Sequence, residues 1–322
     1  MDKSAKEITF DKKGVCNFCH IAQAELKQLP TKMPKVEGKV LMGLSGGADS
    51  SYTLHKAVEM GIKPICFSLD NGWNDPKADK NVKKMVDKLG LEHHVYKIDL
   101  EKYRELQRAF LKSGVSNIEI PTDHILMAAT YEMAVKHGCK WVLSGGNVET
   151  ESIMPASWGY NARDLVHIKD IFKKMTGYRL KGLPTCSLLK WNYYKWIKGI
   201  KLLYLLDVIG YNRAKAIKTL EKKYGYQDYG AKHEENVFTS WFQNFYLFEK
   251  FGIDKRKAHL SSLINSGQMT RKEALFQLTA SPVYPNLGIE SRVLKYPKRD
   301  YTEFKTDERL FNFISSVVKF FR

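Results

Sequence analysis

Val40-Leu41-Met42-Gly43-Leu44-Ser45-Gly46-Gly47-Ala48-Asp49-Ser50-Ser51 decides the fold. The apolar run Val40-Leu41-Met42 reads as a strand, and Ser50–Met60 as a helix stopped at Gly61. Strand, Gly-rich turn and helix start together make an anion cradle. Glycine lets the backbone approach a ligand closely, and the free N–H groups of the first helical turn face it. Ser45, Ser50 and Ser51 add hydroxyl donors, and Gly43 closes the strand. No Lys follows Gly46-Gly47, so this is not the Gly-x4-Gly-Lys-Ser/Thr loop of common nucleotide hydrolases. Asp49 suits either a helix N-cap or a Mg²⁺ ion bridging phosphates.

Outward from this loop the chain alternates strand and helix. Lys39–Gly43, Pro64–Leu69, His94–Ile98 and Trp141–Ser144 read as strands. Asp79–Leu89, Glu101–Lys112 and Thr122–His137 read as helices, and Ile21–Leu29 as an earlier one. Strands separated by helices predict an α/β fold, a parallel sheet covered on both faces. Ligands then bind beyond the carboxyl ends of the strands. The Gly46 loop, the turn at Asp70 and the loop Gly145-Gly146-Asn147 all follow strands and are expected to converge. From Ser152 onward aromatic residues become dense, and 185–322 reads as mostly helical. The expected division is an N-terminal segment 1–37, an α/β domain 38–184 and a helical region 185–322.

Composition excludes several classes. The 322 residues carry a hydrophobic fraction of 43%, enough for a sizeable core, and hold no apolar run long enough to span a membrane. Residues 1–7 lack a signal-peptide core, and five scattered cysteines fit a reducing, cytoplasmic setting. The net charge of +17 is spread along the chain without a block of like charges. It fits an RNA surface, a site for multiply anionic small substrates, or a general excess of lysine.

Further motifs carry candidate chemistry, each with a plain structural alternative. Gly145 and Asn147, with Glu149 and Glu151, suit a loop closing over phosphate or holding a metal, or a flexible turn. Pro121-Thr122-Asp123-His124 opens a helix, with Thr122 or Asp123 as cap, or Asp123 or His124 facing a nucleotide. Cys16-x2-Cys19 is half of a zinc site; His20, Cys186 or His233 would have to complete it, and a buried unligated pair is the alternative. Lys232-His233-Glu234 and Lys255-Arg256-Lys257-Ala258-His259-Leu260-Ser261-Ser262, then Ser266-Gly267-Gln268-Met269-Thr270-Arg271, flank the aromatic run Phe238–Phe251. Their mix of His, Glu, Arg, Ser and Gln is unusual for a plain solvated face.

Gly43 to Ser50 resembles the Ser-Gly-Gly-x-Asp-Ser loop of the ATP pyrophosphatases, the PP-loop, which split ATP into AMP and pyrophosphate. Together with Phe10-Asp11-x2-Gly14-Val15-Cys16-Asn17-x-Cys19, Asp70-Asn71-Gly72-Trp73, Gly145-x-Asn147 and the blocks at 232–234 and 255–271, it resembles the N-acetyl sugar amidotransferases (WbpG-like) of bacterial surface-polysaccharide pathways. The resemblance spans residues 8–280, and the C-terminal block is its family-specific part. It implies that ATP, with Mg²⁺, adenylates a sugar acetamido oxygen and that ammonia displaces AMP to leave an acetamidino group. Adenine would lie against the backbone at Phe67, Ser68 and Asp70. Asp49, Ser50, His233 and Arg256 become catalytic candidates. Lys232, Glu234, Lys255, His259, Ser261, Ser262, Gln268 and Arg271 become candidates for the acceptor sugar. The implied partners are a glutaminase subunit and a barrel-shaped ammonia channel, like the two subunits of imidazole-glycerol-phosphate synthase; neither nucleic acid nor membrane is expected, and a homo-oligomer is possible. Family members usually carry an earlier Cys-x2-Cys that residues 1–15 lack, which leaves Zn²⁺ at Cys16 and Cys19 open.

The rival is a tRNA-modifying PP-loop enzyme of the thiolation or lysidine type. It shares the adenylation step and would use the positive charge. A thiolating enzyme needs reactive cysteines inside the fold, and Cys66, Cys139 and Cys186 form no such set by spacing. A scaffold with a relict loop is opposed by the intact Ser45, Gly46, Gly47, Asp49 and Ser50.

Overall fold

The computed structural model describes residues 1–230, 234–307 and 309–311. Five strands, β1 (Val40–Gly43), β2 (Ile65–Asp70), β3 (His93–Lys97), β4 (Trp141–Ser144) and β5 (Lys201–Tyr204), form one sheet in the order β3-β2-β1-β4-β5. All four pairings are parallel. The strand order reverses between β1 and β4, which is where such sheets open a ligand crevice.

Alternation along β1 shows how the strand specifies its two faces. Val40 and Met42 pack with Leu54 and Ala57 of α2 (Ala48–Glu59) and with Val82 and Met85 of α3 (Pro76–Leu89). Leu41 packs on the other face with Phe67 and with Ala128 and Ala134 of the helix Ile120–Lys136. Leu41 and Met42 are fully buried, and each such side chain contributes about 1.5–3 kcal/mol.

A third core lies beside the sheet. It joins Phe18 and Ala22 of α1 (Asn17–Lys27), Tyr103 and Phe110 of Leu100–Ser113, and Ile171 and Phe172 of Leu165–Thr176 to Trp241 and Tyr246. The N-terminal segment is therefore built into the same core as the late aromatic run. That run is core: Trp241 and Tyr246 are fully buried.

One expectation is corrected. The first helix begins at Asn17, not Ile21, so Cys19 and His20 lie inside it. The stretch after 185 is mostly helical, as expected, with one strand in it: β5 extends the sheet by a fifth strand and pairs with β4 from Trp141↔Lys201 to Ser144↔Tyr204. Among the described residues no helix is long and apolar enough to cross a membrane.

Candidate active site

A cleft of about 800 Å³ opens over the strand reversal, and it is lined by Ser45, Gly47, Asp49 and Ser50 of the Gly-rich loop and by Gly145 after β4. The loop is held by its own hydroxyls. The Ser45 and Ser50 Oγ atoms are 3.2 Å apart, the Gly47 N–H donates to Ser45 Oγ at 3.2 Å, and Ser50 Oγ donates to the Gly47 carbonyl at 3.2 Å. Gly46 has φ +81°, and a Cβ there would stand 2.5 Å from the Ala78 carbonyl oxygen. Both the backbone conformation and the space demand glycine. Gly145 is constrained similarly: a Cβ would meet the Ser50 amide nitrogen at 2.8 Å. The loops after β1 and β4 thus touch at the start of α2, as expected.

The cradle faces a carboxylate. A Cβ on Gly47 would stand 2.7 Å from Glu235 Oε1, and Ser45 Oγ donates to that same oxygen at 3.4 Å. Glu235 rides on a strap tied to the loop after β2: Asp75 N–H donates to the Glu235 carbonyl, Val237 N–H donates to the Trp73 carbonyl, and Asn74 bridges Asn236. An anionic group accepted by the loop's donors is what a phosphate-binding turn selects. The residues present therefore fit ATP, with Asp49 at the mouth as the candidate Mg²⁺ ligand. Asp49 Oδ1 accepts a 2.5 Å hydrogen bond from Tyr211 Oη. Burial and the neighbouring Asp49 charge push the Tyr211 phenol far up, so it remains the donor. Gln268 braces this arm, accepting from the Arg213 N–H at 3.0 Å and donating to the Tyr211 carbonyl at 2.8 Å.

Opposite the loop stands a pair of carboxyls. Glu119 is buried, and its oxygens accept from Thr239 Oγ1 at 2.6 Å and Thr122 Oγ1 at 3.2 Å. Burial, then the Asp123 charge, push it up to about 7 against those hydrogen bonds. Asp123 is open to the cleft's water; the protein walling it pushes its carboxyl up, and Lys255 pulls it down. Asp123 and Lys255 also border a second chamber of about 600 Å³ lined by Trp158, Tyr160 and Arg163. The Arg163 guanidinium lies 4.0 Å from the centre of the Trp191 ring, on the border of the two chambers.

The other sequence candidates divide into those in the cleft and those holding the scaffold. Phe67, Lys255 and His259 line the cleft. Lys232 and His233 lie outside the described residues; Glu234 begins the described part of the strap. Arg256 does not reach the cleft as expected of a catalytic group. Its Nε and Nη2 clamp Asp254 at 2.9 and 2.7 Å, and Nη1 donates to the Ala280 carbonyl. Ser262 Oγ accepts from the Ile153 N–H and donates to the Ala258 carbonyl, Ser261 Oγ accepts from the Met1 amino group, and Arg271 is exposed at the start of a helix away from the cleft lining. Ser51 is buried within α2. Ser68 Oγ donates to the Leu44 carbonyl behind the loop, and Asp70 Oδ1 accepts from Gly72 N–H to close its turn. Asn147 caps the short helix Val148–Glu151 and ties back to the Gly145 carbonyl, so it shapes the loop. His124 is buried between the Ala162 carbonyl and the Cys186 amide.

The zinc expectation is not met by the thiols. Cys16 and Cys19 Sγ are 3.4 Å apart, but His20 turns to Asp11 at 2.9 Å and Cys186 sits in a different core. Asn265 Nδ2 donates to Cys19. Among the described residues no further His, Cys, Asp or Glu joins the pair, which leaves half of a structural zinc set. His233, the remaining candidate ligand, lies outside the described residues.

Glu119 and Tyr211 escaped the sequence reading; Glu235 ends the polar run 232–235 but was not singled out as a site residue. Glu119 left one signal, a carboxylate between Ile118 and Ile120, both buried. Tyr211 left none, because 162 residues separate it from Asp49.

Comparisons agree with this geometry. The family described as NAD synthase matches residues 23–184, half of the chain, and the family described as "LPS biosynthesis protein WbpG-like, C-terminal domain" matches 235–311. A tRNA-specific 2-thiouridylase, MnmA 2, of Fusobacterium nucleatum is 28% identical over 120 residues, covering 35% of this chain and 35% of its own length. A 7-cyano-7-deazaguanine synthase of Psychromonas ingrahamii is 26% identical over 132 residues, covering 36% of this chain and 59% of its own. The chain thus spans under two thirds of either relative. A solved structure described as a predicted subunit of tRNA methyltransferase, from Methanocaldococcus jannaschii, aligns with TM-score 0.33 and 15% identity, covering 58% of this chain and 76% of its own. With a PP-loop on a parallel sheet and a WbpG-like C-terminal domain closing the same cleft, the chain belongs to the PP-loop family that the NAD synthase match describes, and within it to the WbpG-like proteins.

Proposed function

We propose that this protein is an AMP-forming amidotransferase that turns the acetamido group of a nucleotide-linked sugar into an acetamidino group. The observation that carries the reading is the composition of the cleft. The WbpG-like region contributes Glu235, Thr239, Lys255 and His259 to the same cavity that the PP-loop lines. That residues of the WbpG-like region share a cavity with the PP-loop supports a reaction in which the nucleotide and the acceptor meet.

The amide oxygen attacks the α-phosphorus of ATP, and the bond to pyrophosphate breaks. Ammonia then adds to the activated carbon, AMP departs with the former amide oxygen, and the nitrogen sheds a proton. The PP-loop's N–H and hydroxyl donors hold the pyrophosphate, which is where negative charge accumulates. Mg²⁺ held at Asp49 supplies further charge neutralisation when bound. Glu119 and Asp123 are placed to take the proton, since a base works best with a pKa near the operating pH. The chamber beside Trp158 and Arg163 receives the acceptor sugar nucleotide. Ammonia comes from a glutaminase subunit through a channel partner, because free ammonia is mostly protonated at neutral pH and the adenylate must be kept from water.

A second reading, tRNA thiolation, draws on the 2-thiouridylase match and the net charge of +17. The cysteines oppose it. Burial pushes the thiols of Cys66 and Cys186 up to about 12 and 11 and raises Cys139 as well, whereas sulfur transfer needs a thiolate. The test is mass spectrometry of candidate sugar nucleotides incubated with ATP, Mg²⁺ and concentrated ammonium. Exchange of oxygen for NH lowers the product's mass by a single unit. A thiolated tRNA formed in its place refutes the proposal.

A further inference from the structure

A second candidate centre lies at the opposite end of the sheet from the PP-loop. Glu92 precedes β3 and His94 is its second residue, so the two side chains project to the same face of the strand. His137 ends the helix Ile120–Lys136, which packs across that face. His94 Nε2 is 2.7 Å from Glu92 Oε1, and His137 Nδ1 is 3.9 Å from the same oxygen. The two imidazole rings stand 4.5 Å apart at 44°. One ligand atom from each of the three residues lies within 4.8 Å of the others.

We propose that Glu92, His94 and His137 bind a borderline transition-metal dication, Zn²⁺ above all, in a site independent of the nucleotide cleft. Two arguments carry this. The donors are two imidazole nitrogens and one carboxylate oxygen, the set that zinc takes in open sites and that leaves positions for water. Donors around a tetrahedral ion at ordinary bond lengths lie about 3.4 Å apart. The triangle here brackets that value, so small side-chain rotations close it.

Such an ion would join the sheet's edge strand β3 to the end of a helix more than 40 residues later in the chain. Lys39 and Lys136 are near enough to act on His137 as charges, which weakens the hold on a cation. Affinity is therefore expected in the micromolar range, on the order of a three-ligand site. This inference is independent of the amidotransferase reading.

The test is calorimetric titration of chelator-stripped protein with ZnCl₂, alongside thermal melting and a Co²⁺ absorption spectrum. One equivalent should bind and raise the melting temperature. His137→Ala and His94→Gln should each weaken binding at least tenfold. So should Glu92→Gln, a surface change that leaves the fold intact. Cys16→Ser with Cys19→Ser should leave binding unchanged, and Co²⁺ should show no thiolate charge-transfer band. Zinc binding that survives all three triad variants, or that disappears in the double serine variant, overturns the proposal, as does the absence of any binding to the folded chain.

Discussion

Gly46 carries a large local consequence for a single atom. Its φ of +81° disfavours any other residue, and an added Cβ would overlap the Ala78 backbone at 2.5 Å. Gly46→Ala should lower unfolding stability by about 2 kcal/mol or more, read from urea midpoints, because the left-handed conformation alone costs roughly 1–2 kcal/mol. Glu119 makes a pH-dependent prediction. Its folded pKa is raised from 4.5 to about 7. The stabilising contribution is thus complete below the unfolded value and is lost as pH rises through about 7. Across that window the loss is on the order of 3 kcal/mol. Glu119→Gln should flatten this slope, so the variant gains stability relative to the parent between pH 5 and pH 8; parallel slopes would show that Glu119 is not raised. Tyr211→Phe removes the 2.5 Å hydrogen bond to Asp49. Hydrogen bonds to charged groups contribute about 1.5–3 kcal/mol to stability, so the melting temperature should fall measurably, and AMP formation should fall as well because Asp49 loses the partner that orients it.

At the scale of elements, the strap 234–237 makes its own prediction. Its Glu235 carboxylate occupies donors that a phosphate would use. Glu235→Ala should tighten pyrophosphate binding about fivefold or more, measured by calorimetry, since hydrogen bonds to charged groups no longer have to be exchanged. Unchanged affinity would mean the carboxylate does not compete. The elements also explain what the sequence could reveal. The four strands of the α/β half and the loops after β1 and β4 were legible because glycines and apolar runs mark them locally. β5 was not: Lys201-Leu202-Leu203-Tyr204 is short, follows a helical Lys- and Trp-rich stretch, and becomes a strand only by pairing with β4. Among candidates in the C-terminal block, Lys255 and His259 reach the cleft, while Arg256 and Ser262 turn to local partners. Residue type signalled that the block matters, but which helix face meets the cleft is set by packing of segments distant in sequence.

At the scale of the whole molecule, one cleft joins a PP-loop sheet to a WbpG-like region, with a second chamber sharing the Asp123–Lys255 wall. On the proposed function, the net charge of +17 would serve ATP, an anionic sugar nucleotide and partner docking in place of RNA. Bulk tRNA should bind weakly; tight binding with a steep salt dependence would favour the thiolation reading. The isolated chain should use concentrated ammonium but not glutamine. The most direct measurement is phosphorus NMR of the nucleotide products formed from ATP, Mg²⁺, ammonium and an N-acetyl sugar nucleotide. The account predicts AMP and pyrophosphate in equal amounts, abolished in Ser50→Ala. ADP and inorganic phosphate as the products would contradict it.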